Sequence, residues 1–542
     1  MRNRLHLSIA LAALIPASFL ILFFVWPVGA MLWRGISDPA GGLLEVLTLP
    51  RTWNITRQTI GMAVAATAGS LLLGIPGAFA LYRLRFPGRN ILRAIATMPF
   101  VLPTVVTGVA FRALLDAKGS LGFLGLDQTV TAVVIAMVFF NYGVVVRTVG
   151  NLWASLDPQD EAARTLGATP FQAFYTVTLP QLGPGIAAAG GLVFLFCSTS
   201  FGLVQTLGRP GYGTLESEIY VQTTAYLDLA TAAGLSAIQF AIVIAALLVS
   251  NLLSKRTDAT LRVRDNVSRP ARRRDLPIIT GTVAVIAVLI LAPLSALVLG
   301  SLRAGGEWSL HNYQVLARTG AGFSGGTSVL QALEHSLRIA LDAAVVSVIV
   351  GVLVALLLSR RPQTARWIRA QQLLDGFVLL PLGVSAVTVG FGFLITWGRL
   401  PNFNAALLVP LAQAVVALPL VVRSLVPVLR AIDPRMREAA ATLGASPARI
   451  LATIDLPLLV RGLGLAFGFA FAISIGEFGA TSFLASPDYQ TLPVLIGKLL
   501  GRPGVDNYGM ALAGGVILAL LSGGVMTLAD LLRPRSVTKG IS

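Results

Sequence analysis

Charge is scarce in this chain. Asp, Glu, Lys and Arg make up 12% of its 542 residues, against about a quarter in an ordinary soluble domain. With 55% hydrophobic residues and a mean hydropathy of +0.79, that shortage places most of the chain in lipid. Cysteine is nearly absent. Cys197 stands alone inside an apolar run, which excludes an intramolecular disulfide and a cysteine-built metal site. It reads as a small core residue rather than a redox centre. The three histidines, His6, His311 and His335, lie far apart and form no metal-ligand motif, so no metal site is expected. No G-x-x-x-x-G-K-[ST] phosphate loop occurs. Gly497-Lys498 is followed by Leu and lacks the upstream glycine, so the chain is not itself an ATPase. H-E-x-x-H is absent and the histidines do not cluster, and no catalytic residue is expected.

What the chain does have is long apolar runs. A helix needs about 20 apolar residues to span a bilayer. Residues Met1 to His6 carry Arg2 and Arg4, and an apolar run continues to about Trp33. It is too long for a signal-peptide core and lacks a clear cleavage site, so it is read as a retained first span. Further spans are expected near 59–82, 91–115, 129–150, 183–207 and 232–253, then near 277–300, 337–359, 372–397, 403–425, 460–484 and 508–532. The predicted fold class is an all-α polytopic membrane protein of about twelve helices, in intimate contact with lipid. The net charge of +17 could suggest a nucleic-acid partner. The basic residues are spread over short loops instead, as the positive-inside rule requires, and no nucleic acid is expected. Arg83, Arg85 and Arg89, then Arg360, Arg361, Arg366 and Arg369, the basic stretch 254–276, and Arg533 and Arg535 fall on one side. That places both termini in the cytoplasm.

One polar island occurs twice. Glu161-Ala162-Ala163-Arg164-Thr165-Leu166-Gly167 runs on to Leu179-Pro180, and Glu438-Ala439-Ala440-Ala441-Thr442-Leu443-Gly444 runs on to Leu456-Pro457. Ala, Leu, Glu and Arg favour helix and Gly breaks it. A second short helix follows, with Leu-Pro expected to end it. Each island is thus a helix–turn–helix outside the bilayer. From Glu161 the two halves keep a constant offset of 277 residues, which pairs Phe201-Gly202 with Phe478-Gly479 and Thr214-Leu215 with Thr491-Leu492. The expected organisation is a first repeat over 1–253 with its island at about 151–182, a solvated linker over 254–276, and a second repeat over 277–542 with its island at about 426–459. Six spans per repeat give both copies the same topology, related by a pseudo-twofold axis along the membrane normal.

The duplicated island resembles the EAA loop of permeases in ATP-binding-cassette importers, and the chain as a whole resembles the fused, double-length permeases of the type I class. The resemblance implies a place in the inner membrane of a prokaryote and that each loop docks into a cytoplasmic ATPase subunit. Two ATPase copies, with ATP and Mg²⁺ bound to them rather than to this chain, and an extracytoplasmic substrate-binding protein are the implied partners. Gly167 and Gly444 are expected to turn the loops, and Glu161 and Glu438 to brace them. Fused permeases of this kind serve thiamine and ferric iron. Leu84-Arg85-Phe86-Pro87-Gly88-Arg89, Val138-Phe139-Phe140-Asn141 and Thr214-Leu215-Glu216-Ser217-Glu218-Ile219-Tyr220 resemble the thiamine branch. Ser474-Ile475-Gly476-Glu477-Phe478-Gly479 is also similar to iron and oxyanion permeases.

Glu477 falls inside an expected span, and its counterpart in the first half is Ser200. A mid-membrane charge costs roughly 2.5–3.5 kcal/mol on insertion scales, so Glu477 should face the protein interior. Two roles are open. It lines the path of a cationic substrate, with Ser200, Phe201 and Phe478 beside it, or it makes a hydrogen bond at a helix end. On either reading Glu477→Gln should keep the fold. Asp342 and Asp375 are read as acids close to span ends, and Gly190-Gly191 as a close helix contact. A secondary transporter is the rival class. It would carry more mid-membrane ionisable groups and has no use for duplicated helix–turn–helix loops.

Overall fold

The computed structural model describes residues 14–37, 42–156, 163, 165–209, 212–255, 268–322, 326–359, 365–398, 400 and 404–531. Glu161, Ala162, Arg360, Arg361 and most of the stretch 254–276 lie outside the described residues. Helix dominates. Paired strands among the described residues are two-residue pieces, Leu84–Arg85 with Arg269–Pro270 and Arg303–Ala304 with Glu307–Trp308.

Nine helices among the described residues are long and apolar enough to cross a membrane: Leu14–Ser37, Pro50–Arg83, Val130–Ser155, Phe171–Ser198, Leu229–Ser250, Arg273–Ser301, Val329–Ser359, Ala405–Arg430 and Val505–Ala529. The other three expected spans are not straight. Arg89–Val101 and Thr104–Leu115 meet at 109°, and Ala448–Val460 and Gly462–Ile475 at 56°. Near 372–397 the chain forms Ala365–Leu379, a tight turn at Leu380–Gly383, and the short helix Ala386–Thr396. Proline accounts for two of these breaks. Pro99 and Pro103 flank the first and Pro381 sits in the turn of the last, each removing a backbone donor and clashing with the preceding turn. The expected count of twelve therefore becomes nine continuous helices, two bent pairs and one short piece.

Two compact units form, and they are not the two sequence halves. One comprises Met1–Arg34, Val315–Leu499 and Ile517–Ser542; the other comprises Gly35–Gln314 and Leu500–Val516. Each sequence half thus lends its leading helix to the unit built mainly from the other half. In the first unit Phe23 packs on Phe393 and Trp397, with ring centroids 6.1 and 5.9 Å apart. In the second, Leu297 comes within 3.4 Å of where a Cβ on Gly515 would lie. The end of the basic stretch is also more than a solvated connector. Arg269 grips the Asp275 carboxylate at 2.7 and 2.9 Å, and Arg269–Pro270 pairs with Leu84–Arg85.

The repeat is visible inside each unit. In one, Pro50–Ala78 packs against Val130–Ser155; in the other, Val329–Ser359 packs against Ala405–Arg430. Gly74 and Gly351, equivalent by the 277 offset, sit at these seams. A Cβ on Gly74 would come 2.6 Å from Val145, and one on Gly351 would come 2.5 Å from Val421. Small residues allow backbones to approach in lipid, where packing rather than the hydrophobic effect joins helices. Gly191 meets Ser250 in the same way, as expected for the Gly190-Gly191 pair. Asp342 and Asp375 are exposed; Asp342 lies inside Val329–Ser359 rather than at its end.

Gly351→Leu is expected to lower stability by about 1–3 kcal/mol through overpacking, measured as the unfolding midpoint of the detergent-solubilised protein. Gly376→Leu, where a Cβ meets nothing within 4 Å, should leave that midpoint unchanged.

Candidate functional site: the coupling turns and the Glu477 break

The second polar island folds as Pro434–Thr442, a turn at Gly444, and Pro447–Ile450. Asp433 caps the first helix by accepting from the Arg435 amide at 2.9 Å, as capping residues do. Gly444 closes it with φ +81°. The Ala445 amide donates to the Ala440 carbonyl and the Gly444 amide to the Ala441 carbonyl, both at 3.0 Å. That pair of bonds is a Schellman motif, which needs a left-handed residue at the glycine position. The first island repeats it. Gly167 has φ +95°, and Ala168 donates to Ala163 at 3.1 Å, the equivalent bond. Thr169 and Gln172 then cap the next turn reciprocally, side chain to amide, at 2.9 and 3.2 Å.

Leu-Pro does not end the second helix in either copy. Phe171–Ser198 runs through Leu179 and Pro180 without a break, and Leu456 and Pro457 begin Leu456–Ile475 directly after Leu451–Asp455. The reason is a single wide turn of π-helix at Phe174–Thr178 and at Leu451–Asp455, exactly one repeat apart. A π-turn makes room where proline would otherwise clash with the carbonyl before it.

Leu166 and Leu443, the residues before the glycines, are 89% and 87% exposed. Glu438 and Ala439 are exposed and Ala440 is half-buried. Bracing of the second turn comes from its neighbour rather than from Glu438. Arg437 donates to the wholly buried Asp455 at 2.8 Å and to the Leu429 carbonyl at 3.4 Å. Sequence reasoning missed this pair because the two residues lie 18 apart, and nothing in their spacing signals contact.

Glu477 does not lie within a helix. It stands in the break between Leu456–Ile475 and the short helix Gly479–Leu484. Its carboxylate turns back over that short helix. One oxygen accepts from the Ala480 amide at 2.7 Å; the other accepts from the Thr481 amide at 3.0 Å and the Thr481 hydroxyl at 2.5 Å. Gln413, from Ala405–Arg430, donates to the same hydroxyl at 3.0 Å. All three side chains are buried. The group satisfies the orphan donors of a helix start and ties it to a long helix, so the helix-end reading of Glu477 describes the geometry. Phe478 and Phe201 are buried at 6% and 4% exposure, and Ser200 is half-buried. Phe201 packs on Tyr220, ring centroids 5.2 Å apart.

A further pair of bonds holds the segment that follows each short helix. The Leu215 amide donates to the Thr59 hydroxyl at 3.0 Å, and the Leu492 amide to the Ser336 hydroxyl at 2.7 Å. Thr59 and Ser336 are equivalent by the same offset. A hydroxyl recurring at one repeat position was the signal that could have revealed them.

The family model described as "Binding-protein-dependent transport system inner membrane component" matches residues 70–263 and again 347–537, each match carrying one glycine turn. The chain belongs to that family. It is a permease subunit of an ATP-binding-cassette importer, with both copies of the domain fused in one multi-pass chain. It is 29% identical over 525 residues to the thiamine transport system permease protein ThiP of Brucella suis biovar 1 (strain 1330), covering 93% of this chain and 92% of that one. To ThiP of Escherichia coli (strain K12) it is 29% identical over 466 residues, 83% of this chain and 84% of that one. To the sulfate transport system permease protein CysT of the same strain it is 34% identical over 193 residues, 34% of this chain and 70% of that one.

The geometry revises what Glu477→Gln should do in this permease. A glutamine offers one acceptor oxygen to three donors and turns an amide NH₂ towards at least one of them. Glu477→Gln is expected to lose about 1–3 kcal/mol of stability, and Glu477→Ala at least as much. Thermal unfolding of the purified variants checks this; an unchanged midpoint for the Gln variant would remove the capping role.

Proposed function

We propose that this permease passes thiamine from an extracytoplasmic binding protein to the cytoplasm, driven by two copies of a cytoplasmic ATP-binding-cassette ATPase, one on each glycine turn. ATP and Mg²⁺ bind the ATPase, and this chain carries no cofactor of its own. Both termini face the cytoplasm. The observation that carries the substrate is the extent of similarity: it runs over 93% of the chain for a thiamine permease, but over 193 residues for a sulfate permease. The stretches Leu84–Arg89, Val138–Asn141 and Thr214–Tyr220 support the same choice.

Each turn offers the ATPase a projecting leucine, Leu166 or Leu443, with Phe171 exposed beside the first turn and Met436 beside the second, which suits insertion into an apolar recess. Glu477 and Phe478 in one repeat, and Ser200 and Phe201 at the equivalent positions of the other, are the candidates for the translocation path, with Glu477 holding its short helix rather than meeting cargo. Uptake of labelled thiamine by vesicles containing the reconstituted complex tests the substrate. Iron uptake without thiamine uptake would reverse it.

The turns generate their own prediction. Nothing lies within 4 Å of a Cβ built on Gly444, so space is not the constraint there; φ +81° is. A non-glycine residue at such a φ costs on the order of 1–3 kcal/mol, most for a β-branched one, while Asn tolerates it. Gly444→Val is expected to abolish substrate-stimulated ATP hydrolysis while membrane insertion continues, and Gly444→Asn to retain most of it. Equal activity of both variants would show that the turn does not couple.

A further inference from the structure

The two coupling turns share a backbone but not an anchor. In the second copy, Arg437 on Pro434–Thr442 reaches Asp455 in the π-turn at 2.8 Å, with the two side chains 16% and 0% exposed. The same guanidinium donates to the Leu429 carbonyl near the end of Ala405–Arg430. One cation thus ties three elements: the helix before the turn, the π-turn after it, and the preceding long helix. In the first copy Thr178 occupies the place of Asp455 and Asp160 that of Arg437, so this ion pair cannot form. Arg430 is likewise replaced by Trp153 at the equivalent position. Trp153 packs against Phe79 and Phe174 with ring centroids 5.2 and 6.2 Å apart. That aromatic contact reaches the π-turn through Phe174.

We infer that Arg437 and Asp455 are positioning residues that fix the second coupling turn in direction, so that the two turns transmit ATPase motion unequally. The inference rests on the reading that these turns dock the ATPase. A buried ion pair is weak evidence for net stability, since an apolar pair of like volume often does as well. What the pair adds is geometry. A charge-assisted bond to a fully buried carboxylate fixes the direction of the cation's own helix, and here that helix has side chains that are otherwise mostly solvated. The anchored turn is tied to the start of the helix that leads to the Glu477 break, because Asp455 immediately precedes Leu456–Ile475. The first turn carries no such ion pair at the equivalent positions, Asp160 and Thr178.

The test uses the full complex of permease, ATPase and binding protein in vesicles. Four variants are compared: Asp455→Asn, Arg437→Lys, the double variant Arg437→Met with Asp455→Leu, and Thr178→Val in the first turn. The double variant removes the pair without leaving a buried charge, so it should assemble with both ATPase copies and unfold at the wild-type midpoint. Substrate-stimulated ATP hydrolysis per assembled complex should nonetheless fall by about fivefold or more. Arg437→Lys, which keeps the charge pair, and Thr178→Val should both stay within about twofold of wild type. Full stimulation in the double variant overturns the inference, and so does an equal fall in Thr178→Val. Should the double variant fail to accumulate, the single variants decide. Loss in Asp455→Asn with retention in Arg437→Lys upholds the inference; equal loss in both overturns it. A wild-type complex without substrate-stimulated hydrolysis would instead defeat the docking reading on which this rests.

Discussion

Every backbone amide and carbonyl at membrane depth has to find its partner within the protein, because lipid offers none. A straight helix meets that demand by itself. This chain repeatedly departs from straight helix, and each departure is matched by a local donor or acceptor. Where Leu456–Ile475 stops and Gly479–Leu484 starts, the Glu477 carboxylate takes up the orphan donors. Where the chain resumes after each short helix, a hydroxyl from a neighbouring helix accepts the first amide, Thr59 for Leu215 and Ser336 for Leu492. Where proline enters a helix behind each coupling turn, one widened turn absorbs the clash. The irregular segments are therefore as specified as the helices.

Duplication sets the architecture, and divergence sets the differences in chemistry. The glycine turns, the π-turns, the close glycine seams and the hydroxyl anchors recur one repeat apart. The charged contacts do not. Glu477 faces a serine counterpart, and Asp455 a threonine. Backbone requirements are imposed by lipid and by turn geometry on both copies alike, so they persist in each. Side-chain anchors are one solution among several, so ion pair and ring stack can replace one another.

The sequence disclosed the class, the repeat and the turns, because these depend on local composition. Gly167 and Gly444 were legible as turn residues since a left-handed φ selects glycine. The continuity of the spans was not, because hydropathy measures length and not straightness: 91–115 looks like one span, although Pro99 and Pro103 break it. Leu-Pro misled for the opposite reason. Proline was read as a stop, yet a π-turn carries the helix past it. The role of Glu477 was divided between cargo and capping. The capping bonds depend on the break after Ile475, which places Ala480 and Thr481 within reach. Arg437, Asp455, Gln413 and Thr481 were invisible, since their contacts join segments whose spacing carries no period.

The exchange of leading helices between the compact units has a consequence for biosynthesis. The helix Leu14–Ser37 is made long before its seat, since the residues it packs on, Phe393 and Trp397, come more than three hundred positions later. It must wait in the bilayer, lipid-solvated, through the synthesis of an entire repeat before its seat exists. The helix leading the second half has no such delay, as most of its partners are already inserted when it emerges. Assembly is therefore closed by one of its earlier members. A defect in the seat around Gly392, where a Cβ would fall 2.8 Å from Pro27, would leave a complete chain with a stranded first helix, a substrate for membrane quality control rather than for transport.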